Sequence, residues 1–164
     1  MHSQLSTSTK RRTEMLMNKM NLHRATVKRV TQQLRRIGAS VQRQNPTQVG
    51  YDLLVNGSIR VAVKAARPTL QHKRVSVDGH SYQYQHIAWC FNFHRHGRFR
   101  RDQWYADVIV CVQLKAAGQK PLVIPVQNIT GKTLIVLKNR RGYAGRYTQY
   151  RDAWHHILRD KRAA

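Results

Sequence analysis

A chain of 164 residues is long enough for one domain with a core of its own. Its 30 Lys+Arg face 7 Asp+Glu, a formal net charge of +23 that exceeds what solubility needs and calls for a polyanion such as nucleic acid. The 41% of hydrophobic residues are clustered, which excludes a disordered chain, and no run approaches about 18 apolar residues, which excludes a membrane helix.

In chain order, residues 1–21 read as a basic arm, disordered over 1–12, with Lys10, Arg11 and Arg12 available to grip phosphate. The arm has no apolar run of the secretory kind; a transit peptide is the alternative. From Leu22 to Ile37, Val27, Val30, Leu34 and Ile37 recur at spacings of three, four and three, one face of a helix, and Gly38 is a fitting stop. Arg24, Lys28, Arg29, Arg35 and Arg36 cover the remaining faces. Strand patterning follows at Ser40–Gln44, broken by Asn45-Pro46, and at Tyr51–Val55 and Ser58–Ala65, joined across Asn56-Gly57. Further strands are expected at His86–His94, Tyr105–Leu114, Leu122–Gln127 and Thr133–Leu137, then a helix at Arg146–Leu158. The run Val108-Ile109-Val110-Cys111-Val112 is continuously apolar, which places both faces of its strand in the core. Helix, strand cluster and helix make an α/β fold with a mixed sheet. Cys90 and Cys111 sit in apolar runs without C-x-x-C spacing, as buried free thiols of a reducing, cytoplasmic compartment do.

The hairpin carries the chemistry. Ala62 and Lys64 lie two apart, so their side chains leave the same face of the sheet. A three-residue loop at Asn56-Gly57-Ser58 sets Asp52 directly across from Ala62. A two-residue loop would instead pair it with Val61 and turn it away from Lys64. A shared site therefore requires the odd loop or a bulge, and Gly57 permits one.

This arrangement resembles the PD-(D/E)XK nuclease superfamily. Gly50-Tyr51-Asp52-Leu53-Leu54-Val55 is followed by Arg60-Val61-Ala62-Val63-Lys64-Ala65-Ala66. Then come Phe91-Asn92-Phe93-His94-Arg95-His96, Tyr105-Ala106-Asp107-Val108-Ile109-Val110, Leu122-Val123-Ile124-Pro125 and a closing Tyr147-Tyr150-Ala153-Trp154 pattern. Over residues 22–158 the series looks like small intron-encoded homing endonucleases or Holliday-junction-resolvase-like members. The resemblance implies a restriction-endonuclease-like mixed β-sheet flanked by helices, and Mg²⁺- or Mn²⁺-dependent hydrolysis of DNA at a specific site or structure. It also implies that Asp52 is a metal ligand, that Val63 adds its backbone carbonyl, and that Lys64 orients or deprotonates the attacking water.

One position departs from the pattern: the acidic ligand of E-x-K is Ala62, and a methyl group does not bind a hard cation. A site so written holds metal weakly and cleaves slowly or not at all. Three explanations stand: an engineered inactivation, a natural degenerate domain kept for binding, or a carboxylate supplied from elsewhere by Glu14, Asp102 or Asp107. Outside the hairpin, the basic loop His94-Arg95-His96-Gly97-Arg98-Phe99-Arg100-Arg101 reads as a nucleic-acid contact through Arg95, His96, Arg98, Arg100 and Arg101. Lys28, Lys73, Arg74, Arg140 and Arg141 are further backbone contacts. Cutting two strands with one small site per chain implies a homodimer or higher symmetric oligomer. The alternative is a catalytically degenerate basic domain acting as an architectural DNA- or RNA-binding protein.

Overall fold

The computed structural model describes residues 4–93, 105–131, 133–138 and 144–158, and at residues 4–8 and 10 the backbone alone. Helix α1 (Gln4–Arg36) leads, followed by strand β1 (Val41–Arg43), the single turn α2 (Pro46–Val49) and strands β2 (Leu53–Val55) and β3 (Ile59–Ala66). Next come β4 (Pro68–Val77), β5 (His80–Asn92), β6 (Val108–Gln113), β7 (Leu122–Pro125) and β8 (Thr133–Leu137), and the chain closes with α3 (His155–Leu158).

Two sheets result. The first has the order β1-β2-β3-β6-β7 and is mixed: β3 and β6 run parallel and the other neighbours antiparallel. The second is β4-β5-β8, all antiparallel. On one face of the first sheet, Val27, Val30 and Leu34 of α1 and Trp154 and Ile157 pack against Val61, Val63, Val108 and Val110. On the other, Trp89, Phe91, Leu134 and Val136 of the second sheet pack against Ile109, Cys111, Leu122 and Ile124. β6 is buried along its whole length, as its unbroken apolar run requires. The indole Nε1–H of Trp89 donates to the Leu114 carbonyl at 2.8 Å, tying β5 to the end of β6.

Three departures from the sequence reading have physical causes. The helix begins at Gln4 rather than Leu22, so residues expected as a disordered arm are helical and no element boundary falls at residue 21. The segment contains neither Pro nor Gly, and over residues 10–20 it is rich in Lys, Arg and Met, all of good helix propensity. Its apolar residues Met15, Leu16, Met17 and Met20 stay about half exposed, so it lacks the buried stripe by which the second half of α1 was recognised. Second, β4 was missed and β5 starts earlier than His86. Their outer halves form a ribbon with solvent on both faces, which leaves no apolar alternation to read. The overlooked signal was Asp78-Gly79, both at positive φ in the two-residue turn between Val77 and His80. Third, the expected helix over Arg146–Leu158 is split into a 3₁₀ stretch (Gly145–Tyr150) and α3. Between them Arg151 bridges to Leu122 and Asp152 takes a left-handed φ of 55°.

The two halves of α1 should respond differently to truncation. Leu34→Ala, at a fully buried position, is expected to cost about 2–5 kcal/mol. Met17→Ala, at an exposed one, should stay within about 0.5 kcal/mol. Urea unfolding of the two variants checks both.

Candidate active site

The β2–β3 register decides whether Asp52 and Lys64 share a site. Val55 pairs with Ile59 and Leu53 with Val61, so the loop has three residues, and the regular ladder ends with Asp52 just outside it. Asn56 and Gly57 supply it with φ values of 50° and 70°, a conformation Gly adopts freely and Asn tolerates. Beyond Leu53 the ladder changes character. The Asp52 N–H donates to the Val61 carbonyl at 3.0 Å, while the Val63 N–H is met by the Asp52 carboxylate. Upstream, Gly50 ends α2 at φ 79°, and a Cβ on it would lie 2.5 Å from the ring of Tyr105. Only glycine lets the turn ahead of Asp52 close against that ring.

Asp52 is 6% exposed, and both of its carboxylate oxygens are engaged. Oδ2 accepts the Val63 N–H at 2.7 Å, and Oδ1 lies 2.7 Å from Nε2 of His23 on α1. Charge-assisted bonds of this length satisfy a carboxylate withdrawn from water. Lys64, half-buried on β3 opposite Cys111, has its pKa lowered from the ordinary lysine value by burial; Cys111 and Asp52 act in the other direction. Burial pushes the Cys111 thiol up to about 12, which leaves Asp52 as the anion that matters to Lys64 at neutral pH. Ala62 is buried in the cluster that contains Trp89 and Phe91, and its methyl group is all that position 62 offers the site.

Of the other carboxylates considered, Asp107 and Glu14 are described, and neither is engaged at Asp52. Asp107 forms a two-pronged ion pair with Arg60, Nη2 to Oδ1 at 3.0 Å and Nε to Oδ2 at 3.1 Å, and its Oδ2 also accepts the Arg60 N–H at 2.9 Å. That pair raises the Arg60 pKa and pins the parallel start of β3 and β6. Glu14 lies nine positions before His23 on α1, about 13 Å along the axis at 1.5 Å per residue. Asp102 lies outside the described residues. Among the described residues no three His, Cys, Asp or Glu side chains cluster closely enough to hold a metal ion.

His23 is the residue that the sequence reading missed. It belongs to the face of α1 that carries Val27, Val30 and Leu34, four positions before the first of these, but its polarity removed it from the apolar pattern. Beside it a cleft of about 720 Å³ is lined by Arg11, Glu14, Lys19, His23, Ala65 and Arg67. Of the expected nucleic-acid contacts, Arg11, Arg12 and Lys28 are exposed on α1, and Lys73 and Arg74 are exposed on β4. Arg74 Nε donates to Ser81 Oγ across the ribbon at 2.6 Å. Arg95, His96, Arg98, Arg100, Arg101, Arg140 and Arg141 lie outside the described residues, as does the side chain of Lys10.

No family model and no curated protein matches the chain. Among solved structures, that of a bacterial homing endonuclease, I-Ssp6803I, is similar, with 16% sequence identity, a TM-score of 0.53, and coverage of 82% of this chain and 88% of that one. The likeness is one of fold: this chain has a nuclease-like α/β fold with a mixed sheet flanked by helices. No helix among the described residues is long and apolar enough to cross a membrane.

The environment of Lys64 gives a direct check. Its amine should titrate below the other lysines in ¹³C-detected NMR, and Asp52→Asn should lower the value further, because Asp52 favours the charged form. Titration of Lys64 together with the surface lysines would contradict this environment.

Proposed function

We propose that this chain is a DNA-binding protein of the PD-(D/E)XK endonuclease type, with a cleavage centre at Asp52 and Lys64 that Ala62 weakens or silences. The observation that carries the reading is Asp52 itself. It is a buried carboxylate fastened to the Val63 N–H, acting on Lys64 from across the hairpin, within a nuclease-like fold. Such placement suits phosphodiester chemistry, in which an amine next to a carboxylate orients a water or stabilises developing charge. The homing endonuclease of similar fold and the net charge of +23 both support DNA as the partner.

The β4–β5 ribbon supports the same partner. It is paired over ten positions, and its outer half brings Lys73 across from Tyr84 and Arg74 across from Gln83. A two-stranded ribbon fits a DNA major groove, and Arg and Gln hydrogen-bond base edges there. Lys73 and Lys28 are placed to contact phosphate.

Mg²⁺ or Mn²⁺ is the cofactor this type of centre takes, and the residues present fit it poorly. Among the described residues Asp52 is the one carboxylate placed at the hairpin, Val63 has only its backbone carbonyl to add, and the side chain at position 62 supplies no oxygen. The chain as it stands is therefore read as binding DNA strongly and cutting it weakly or not at all, with a symmetric homodimer as the form that would address both strands. The architectural DNA- or RNA-binding reading is favoured by one specific observation, the engagement of both Asp52 oxygens by protein groups, the Val63 N–H and the His23 imidazole.

Gel-shift titrations in EDTA, paired with plasmid cleavage in Mg²⁺ and Mn²⁺, test the proposal. Duplex DNA should bind with an affinity that falls steeply with salt, and Lys73→Ala should lower the log–log slope by about 0.9. Ala62→Glu should nick or linearise plasmid above the level of the parent chain. Tight binding with no cutting by either chain would favour the architectural reading, and RNA preferred over duplex DNA would contradict the proposed substrate.

A further inference from the structure

The poor fit of Mg²⁺ has a second source besides Ala62. A cation approaching Asp52 Oδ1 meets the His23 imidazole, whose Nε2 already lies 2.7 Å away, and the other oxygen is held by the Val63 N–H at 2.7 Å. Lys64 is near enough to Asp52 for the two charges to act on each other. Among the described residues, both oxygens of Asp52 are thus engaged by the Val63 N–H and the His23 imidazole.

His23 is not placed there by chance rotation of its helix. Positions 23, 27, 30 and 34 share one face of α1, and Val27, Val30 and Leu34 are buried against the sheet. Their packing fixes the rotation and height of α1 and so delivers residue 23 to the start of β2. The His23 side chain keeps 38% of its surface exposed while that of Asp52 keeps 7%, so the imidazole covers the carboxylate from the solvent side. The cleft lined by Arg11, Lys19 and Arg67 opens next to it.

We infer that His23 is a positioning residue that serves as the partner of Asp52 in place of a cation, so that α1 blocks the metal position independently of Ala62. The inference rests on the reading of Asp52 as the cleavage carboxylate and goes beyond it, since restoring a carboxylate at position 62 leaves this second block in place. The functional consequence is a centre that stays closed to divalent ions while the cleft beside it stays open to a phosphate backbone.

Mn²⁺ uptake, followed by loss of the free-ion electron paramagnetic resonance signal, tests the inference without reference to cleavage. The chains compared are the parent, Ala62→Glu, His23→Ala, the double variant, and Ala62→Glu with His23→Gln, in which the amide still donates to Asp52. Ala62→Glu alone is expected to take up Mn²⁺ weakly. Adding His23→Ala should tighten uptake by tenfold or more, and His23→Gln should leave it weak. Should the double variant fail to fold, the comparison of His23→Ala with the parent is read in the same way. If His23→Ala loosens Mn²⁺, the imidazole is a ligand and the inference is overturned. It is equally overturned if His23→Ala changes nothing, or if the double variant binds no Mn²⁺. Duplex affinity in EDTA, measured on the same proteins, separates the two levels: its loss with the Mn²⁺ pattern intact removes the proposed function and leaves the role of His23 standing.

Discussion

One carboxylate ties three elements of this protein together. Asp52 immediately precedes β2, accepts the backbone N–H of Val63 on β3, and is capped by His23 on α1. A carboxylate this deeply buried persists only with such partners, because an isolated ion in a low-dielectric interior is strongly disfavoured. The partners exist because of constraints set elsewhere: the three-residue loop that fixes the β2–β3 register, the glycine that closes against Tyr105, and the Val27–Val30–Leu34 packing that fixes α1. Remove any of these and Asp52 either rotates off its face of the sheet or loses its cover.

The positive charge is arranged around that anion at two levels. Close in, Lys64 is half-buried, and burial is the largest influence on its pKa, with Asp52 acting in the other direction. Farther out, exposed cations lie along α1 and on the β4–β5 ribbon, where the surrounding solvent screens them from one another. The ion pair of Arg60 with Asp107, close to the site, is structural instead: it consumes an acid that might have served as a ligand and uses it to anchor β3 to β6.

Much of this was legible in the sequence, for identifiable reasons. The alternation and the Asn56-Gly57 turn placed the hairpin, and the three-residue loop is the one observed, whereas Asp52 bonds to the Val61 carbonyl just outside the regular ladder. The unbroken apolar run of β6 announced a strand covered on both faces. What escaped was whatever lacked an apolar signature. The first half of α1 and the outer ribbon are largely exposed, so hydrophobic periodicity had no purchase on them. His23 escaped because its partner lies 29 residues away in the chain, and only the docking of α1 on the sheet brings the two together. The break before α3 escaped because the Arg151 bridge to Leu122 overrides a helical spacing of aromatics.

The central claim is that bound DNA lies over the Asp52–Lys64 end of the sheet, and it is tested most directly by a tethered cutter. An iron–EDTA group is attached to a cysteine introduced by His23→Cys in a Cys90→Ser chain. Cys111, fully buried with its thiol pushed up to about 12, stays unreactive. A matching chain carries the tether through Ser58→Cys, exposed in the β2–β3 loop at the opposite end of β3. Hydroxyl-radical nicking of bound duplex should be many-fold stronger from position 23 than from position 58. Equal nicking from the two positions, or stronger nicking from 58, would place the DNA elsewhere and contradict the claim.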